Sequence, residues 1–297
     1  MPSYPFFQID SFTSRPLYGN ACAVLLDTED LDDERMLALA REMNLSETAF
    51  VRRSQIADFA ARYFTPAEEI PLAGHPTIAT VMALILSGRL KLENEHATIQ
   101  LELRDGPIPV EIFSTQGQVE RIVMTQRKPL FLRTYRSEDV MPAFGLSPED
   151  ALASVPIQTV STGTPQLMIP VRDHAALRRA RLDMAAYERL RASGDFFSPH
   201  LFCLGGVTPE GATFARHFGV PPDTIEDPAT GSATGGMAAY LWHYRLIKQS
   251  NFVAEQGHWL QRPSQLYVEL VGAPDAIEAV KVGGTAALSI RGEVVLN

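Results

Sequence analysis

Two stretches of this chain read as helices without a polar face, and each follows a loop that carries a glycine. From Thr77 to Leu86 the residues are apolar almost all round and the pattern stops at Gly88. A second run, Ala233 to Trp242, carries Met237, Ala238, Leu241 and Trp242. A helix with no solvated side is normally buried on every side, so each is expected at the centre of a domain. At 297 residues the chain exceeds a single core of roughly 100 to 200 residues, and two domains are the natural prior. With 45% apolar and 21% charged residues, both can bury cores.

The segments that lead into the helices match as well. Thr65 to Pro76 is a proline-punctuated loop that ends with proline at a helix start, where the missing N–H costs nothing; Thr224 to Thr234 is its counterpart. Gly74-His75-Pro76-Thr77 matches Gly231-Ser232-Ala233-Thr234 in spacing, and Arg89-Leu90 answers Arg245-Leu246. Strand-like runs precede both loops: Phe6 to Phe12, Ala21 to Leu26, Thr48 to Arg52 and Phe59 to Phe64 in the first half, with Asp32 or Asp33 capping a helix between the second and third. In the second half they are Ile157 to Ser161, Leu167 to Val171, Leu201 to Leu204 and Thr213 to Phe218. Together these features suggest an internal duplication of a strand–loop–buried-helix unit.

The layout has an electrostatic consequence. The first N–H groups of a helix are unpaired and carry the positive end of its dipole, so a loop feeding a helix is a ready anion site. Gly74 and Gly231 let backbone approach a ligand closely. Two such ends facing each other suit a small carboxylate-bearing molecule.

Composition excludes other classes. A net charge of −9 and a pI near 5.3 argue against a nucleic-acid footprint, and Arg178, Arg179 and Arg181 read as a solvated helix face. The apolar stretch Ile78 to Leu86 falls far short of the roughly 20 residues that cross a bilayer, and the N-terminus shows no secretory pattern. Cys22 and Cys203 lie far apart and form no CxxC motif, which fits a reduced, cytoplasmic protein. No HExxH, GxxxxGK[ST] or strand–GxGxxG–helix pattern occurs, which removes zinc hydrolases and the common nucleotide-binding classes.

Four ordered blocks carry a family resemblance. Ser46-Glu47-Thr48-Ala49-Phe50, then Phe64-Thr65-Pro66 with Glu69-Ile70-Pro71 and Gly74-His75, then Ser161-Thr162-Gly163, then Glu226-Asp227-Pro228-Ala229-Thr230-Gly231-Ser232-Ala233 resemble the signature blocks of the phenazine-biosynthesis PhzF-like family, and Gly19-Asn20 fits as well. The resemblance spans essentially the whole chain. It implies an α+β fold like that of diaminopimelate epimerase: two similar domains, each a curved, mostly antiparallel sheet wrapped around a central apolar helix, with the site between them. The expected domains are 1–128 and 129–297, with the strand near Ala286 to Leu296 free to join either.

Diaminopimelate epimerase and proline racemase use a cysteine pair at the starts of the two helices. Here Ala73 stands where one thiol is expected, and Pro228 or Ala229 occupies the other neighbourhood. The resemblance instead assigns acid–base work to Glu47, assisted by His75 and Asp227, with Asn20, Ser46, Gly74, Gly231 and Ser232 as substrate contacts. It implies a cofactor-independent isomerase acting on a small carboxylate, and a homodimer.

Each assignment has a plainer rival. Glu47 after a helix end is ordinarily just solvated, His75 beside a proline and Ser232 are candidate helix caps, and Asp227-Pro228 is a common turn. A two-base epimerase or racemase, and a ligand-binding protein without turnover, remain as alternatives. A single glutamate suffices for the isomerase if enclosure raises its pKa toward the working pH, so that it serves as base and then as acid.

Overall fold

The structure, a computed structural model, describes residues 2–219 and 225–296. Met1 and Asn297, the outer limits of the two expected domains, and Thr224, the expected start of the second loop, lie outside the described residues. Within them the fold is α+β, with one continuous, mostly antiparallel sheet curving around two central helices, Gly74–Leu86 and Gly231–His243.

Both helices are interior, as their composition demands. His75 through Leu84 are all buried in the first, and Gly231 and Ala233 through Leu241 in the second. The first packs against strands Ser3–Ser11, Asn20–Leu25, Glu47–Arg52 and Gln118–Gln126. The second packs against Ile157–Ser161, Pro165–Pro170, Ser264–Ala273 and Ala276–Gly284. Each helix begins earlier than its apolar pattern, at Gly74 rather than Thr77 and at Gly231 rather than Ala233. First-turn amides have no intrahelical partner, so glycine, histidine and proline sit there without loss.

Among the described residues each half contains two parallel strand pairs, and parallel strands need a crossover; one crossover in each half carries the central helix, between Phe59–Phe64 and His96–Leu103 and between Gly211–Phe218 and Asn251–Gln256. Asn20–Leu25 and Glu47–Arg52 are joined by helix Asp33–Met43, capped by Asp32, whose carboxylate accepts the Arg35 N–H at 2.9 Å. Pro165–Pro170 and Ser198–Leu204 are joined through helices His174–Arg179 and Met184–Ser193. These connections cover the outer face of the sheet with their own apolar clusters, around Phe50 and Phe64 in the first half and around Phe144, Phe196 and Phe214 in the second.

The duplication extends further than the helix starts. Ala61-Arg62-Tyr63-Phe64 followed by Glu69-Ile70-Pro71-Leu72-Ala73-Gly74-His75-Pro76-Thr77 matches Ala215-Arg216-His217-Phe218 followed by Glu226-Asp227-Pro228-Ala229-Thr230-Gly231-Ser232-Ala233-Thr234. The same bonds recur. Arg62 donates a two-bond fork to Glu69 at 2.8 and 2.7 Å and lies over the Phe64 ring; Arg216 does so to Glu226 at 2.7 and 2.7 Å and lies over Phe218. Forked Arg–carboxylate pairs fix geometry as well as charge, so each hairpin is locked ahead of its helix.

This register corrects two expectations. The residue before each leading glycine is Ala73 in one half and Thr230, not Pro228 or Ala229, in the other. The Arg-Leu pairs do not correspond: two residues past each helix lie Gly88 and Arg245, both with positive φ, while the Arg89 and Leu246 amides bond Leu84 and Leu241. The final strand, Ala286–Val295, pairs along Ser3–Ser11, from Ser3 opposite Val295 to Ser11 opposite Ala286.

Candidate active site

The two helix N-termini meet. A Cβ built on Gly74 would stand 3.3 Å from the Gly231 Cα, and one on Gly231 would lie 3.5 Å from the Gly74 Cα and 3.3 Å from the Phe12 ring edge. A side chain at Gly74 would press on the facing helix start, and one at Gly231 on the Phe12 ring, by a few tenths of an ångström, so glycine permits the close approach. Two positive dipole ends therefore converge on one place, which favours anionic groups beside them.

Parallel pairing brings the first-half side chains to that place. Asn20 opens strand Asn20–Leu25 and Glu47 opens Glu47–Arg52, with Glu47 in register with Cys22, so both residues emerge at one end of the sheet. His75 is the second residue of the first central helix, and its carbonyl accepts the buried Ser11 hydroxyl at 2.8 Å. Its Nε2 stands 3.1 Å from Glu47 Oε2, with the His75 side chain 5% and the Glu47 side chain 17% exposed. Burial depresses the His75 imidazole to about 3, so it is neutral beside that carboxyl.

The second half contributes Asp227, which ends the two-residue strand Glu226–Asp227 paired to His217 and Phe218. Three donors converge on its carboxylate. The Thr230 hydroxyl donates to Oδ2 at 2.6 Å, while Asn20 Nδ2 at 2.7 Å and the Ser46 hydroxyl at 3.2 Å donate to Oδ1. Desolvation nevertheless pushes the Asp227 carboxyl up to about 6, against the lowering by Thr230, Asn20 and Ser46.

Asn20, Ser46, Glu47, Gly74, His75, Asp227 and Gly231 therefore gather at one site. Ser232 lies in the first turn beside them and its carbonyl is 3.4 Å from the Thr162 hydroxyl, but it is not the helix cap; Thr230 holds that position, without a capping side-chain bond. His75 likewise sits inside its helix, after the capping Ala73.

Three further residues support the site, two of them without any local signal in the sequence. Gln256 donates to the Asp227 carbonyl at 2.6 Å and to the Thr230 hydroxyl at 3.1 Å, and its amide oxygen accepts the Thr230 N–H at 3.2 Å. Gln126 donates to the Gly231 carbonyl at 2.8 Å and accepts the Thr162 hydroxyl at 2.5 Å. Thr162 lies in a block that the family resemblance did mark; Gln126 and Gln256 end strands far away in the chain, and only the fold brings them in.

The chain is similar to known proteins over nearly its whole length. The family model described as phenazine biosynthesis-like protein matches residues 9–292. The trans-2,3-dihydro-3-hydroxyanthranilate isomerase of Pseudomonas aeruginosa is 34% identical over 290 residues, covering 97% of this chain and 98% of the relative. The crystal structure of a PhzF-family phenazine biosynthesis protein from Bacillus anthracis superposes with a TM-score of 0.89 at 29% identity, covering 100% of both chains. A hydroxyproline epimerase from Agrobacterium vitis shares the fold at a TM-score of 0.67 and 12% identity, with 98% of this chain and 92% of that one covered.

Proposed function

The chain belongs to the phenazine biosynthesis-like PhzC-PhzF family and is an isomerase, and from that premise we propose that it moves a proton between carbons of a small carboxylate with Glu47 as the shuttle. The observation that carries this reading is Glu47 standing 3.1 Å from His75, with Asp227 tied to the same place by Asn20 and Ser46, where two glycine-led helices converge. The helix ends supply a seat for the substrate carboxylate. Glu47 removes a proton from one carbon and returns it to another, which needs a group that serves as base in one half-reaction and acid in the other. His75, neutral, and Asp227, held by Thr230, Asn20 and Ser46, stabilise charge that develops on the substrate.

The P. aeruginosa relative makes trans-2,3-dihydro-3-hydroxyanthranilate the first compound to assay, within a panel of cyclic and amino-acid carboxylates. Incubation in deuterated water with mass detection reads proton transfer before any product is known. Deuterium incorporation by the wild-type protein, lost in Glu47→Gln with ligand binding retained, is the expected result. Binding across the panel with no incorporation overturns it and leaves a ligand-binding protein.

A second reading rests on the upward shift at Asp227, which makes that carboxyl a possible base on the opposite face. A two-base epimerase differs in one measurable respect: Glu47→Gln then retains exchange with one substrate enantiomer.

A further inference from the structure

Asn20 has more oxygen neighbours than its role as a substrate contact allows. Its Nδ2 stands 2.7 Å from Asp227 Oδ1, 2.8 Å from the Ala229 carbonyl and 3.3 Å from His75 Nδ1, and the residue is 2% exposed. The Ala229 carbonyl can only accept, and so can Asp227 Oδ1 when the carboxyl is ionised, above about pH 6, so the amide must present nitrogen here. An oxygen would face two oxygens at hydrogen-bond distance. The amide has two protons, and the two shorter contacts take both.

That count decides the state of His75. A proton on Nδ1 would point at an NH₂ group whose own protons are its only polar offering, so Nδ1 must be the bare nitrogen. A neutral imidazole with a bare Nδ1 carries its proton on Nε2, the atom 3.1 Å from Glu47 Oε2. We propose that Asn20 is a positioning residue that fixes His75 as the Nε2–H tautomer, so that His75 presents a donor and never a base to Glu47 and the substrate. Asn20 then has no donor left for a ligand, and the amide acts through His75 and Asp227 instead.

This deepens the proton-shuttle reading and rests on it for its meaning in catalysis. It also decides between the bases open to a two-base mechanism: with Nε2 protonated and Nδ1 turned to Asn20, His75 cannot take a proton from carbon, and Asp227 alone is left for that part. The sequence hides this, because Asn20 and His75 lie in separate blocks and Asp227 in a third.

Ring-nitrogen NMR of the full-length protein labelled with ¹⁵N-histidine tests the assignment without substrate. The two-bond couplings from the ring C–H protons distinguish the Nε2–H from the Nδ1–H tautomer, and His75→Gln identifies the signal among the seven histidines. The expected wild-type pattern at pH 7 is neutral Nε2–H. In Asn20→Asp an oxygen replaces the amide nitrogen, and the tautomer should switch to Nδ1–H; in Asn20→Leu, which keeps the bulk but removes the amide, the pattern should become a mixture. A wild-type Nδ1–H pattern overturns the proposal, and so does an unchanged Nε2–H pattern in whichever of the two variants folds. A purely structural asparagine would lower thermal stability in both and leave the tautomer alone. Failure of the deuterium assay would sink the shuttle and leave this result standing, so the two ideas fail separately.

Discussion

At the scale of single residues, the site separates its titratable groups by environment rather than by type. Glu47→Gln keeps size and most hydrogen bonding but cannot accept a proton, so exchange should fall about 10³- to 10⁴-fold while ligand binding persists. Asp227→Asn keeps acceptors for two of its three donors and should cost about 10²-fold, as the loss of one electrostatic partner does. Equal losses in the two variants would contradict a single shuttle. The same groups set a stability profile. Burial depresses His75 and His217 to about 3 and holds His200 well below its ordinary value, so each contributes stability fully present above its unfolded value near 6.5 and lost as pH falls toward 3. Asp227 runs the other way: its raised pKa contributes stability that is present below about 4 and lost as pH rises through about 6. Three histidines outnumber one carboxyl, so net stability should fall on acidification through this window. His217 accounts for part of the fall: it meets Ser198 Oγ at 3.0 Å and His200 Nδ1 at 3.3 Å, contacts that a glutamine can also make. His217→Gln should therefore move the acid-unfolding midpoint, followed by circular dichroism, to lower pH; an unchanged midpoint would show that these histidines do not control it.

At the scale of elements, the start of the second central helix is held from outside by Gln126. Gly235 makes room for that contact, since a Cβ there would stand 1.8 Å from Gln126 Oε1. Gly235→Ala should expel the Gln126 side chain, free the Gly231 carbonyl and destabilise by roughly 1–3 kcal/mol, although alanine is the better helix former by about 1 kcal/mol. Gln126→Ala in the same chain removes the clash, so the double variant should melt above Gly235→Ala alone. Additive losses would mean the two residues do not meet. The sequence made the helices legible because an all-apolar period of 3.6 has one physical meaning. It made less of the repeat legible: the matching blocks are separated by four residues in the first half, 65–68, and by seven in the second, 219–225, so no single offset aligns both parts. Helix starts were misplaced for a related reason, since Gly74-His75 and Gly231-Ser232 carry no apolar periodicity even though their backbone is helical. Glu47, His75 and Asp227 were legible as motif residues. Gln126 and Gln256 were not, because a lone glutamine at a strand end has no pattern until tertiary contacts give it one.

At the scale of the molecule, the chain closes on itself, and the closure reaches the site. Ser3–Ser11 lies between Asn20–Leu25 and the final strand Ala286–Val295, so the first half is completed by the last residues of the sequence. The junction that follows Ser11 is Phe12, with positive φ, whose N–H donates to the Thr285 carbonyl at 2.8 Å and whose carbonyl accepts the Gln265 N–H at 2.9 Å. Phe12 in turn backs Gly231 at the meeting of the two helices. Removing residues 286–297 would strip the pairing from one side of Ser3–Ser11 and loosen the ring that supports the second helix start. Unpaired backbone along a central strand is costly, and exposed edges invite aggregation. The truncated chain should melt about 10 °C or more below the full chain, on the scale of about 2–4 °C per kcal/mol for a large domain, and should lose proton exchange with it. Removing only residues 296–297, beyond the last ladder pair of Ser3 with Val295, should cost far less on both counts. A chain ending at Thr285 that melts with the full-length protein would show that the final strand is an appendage, and that Phe12 is held by the second-half strands alone.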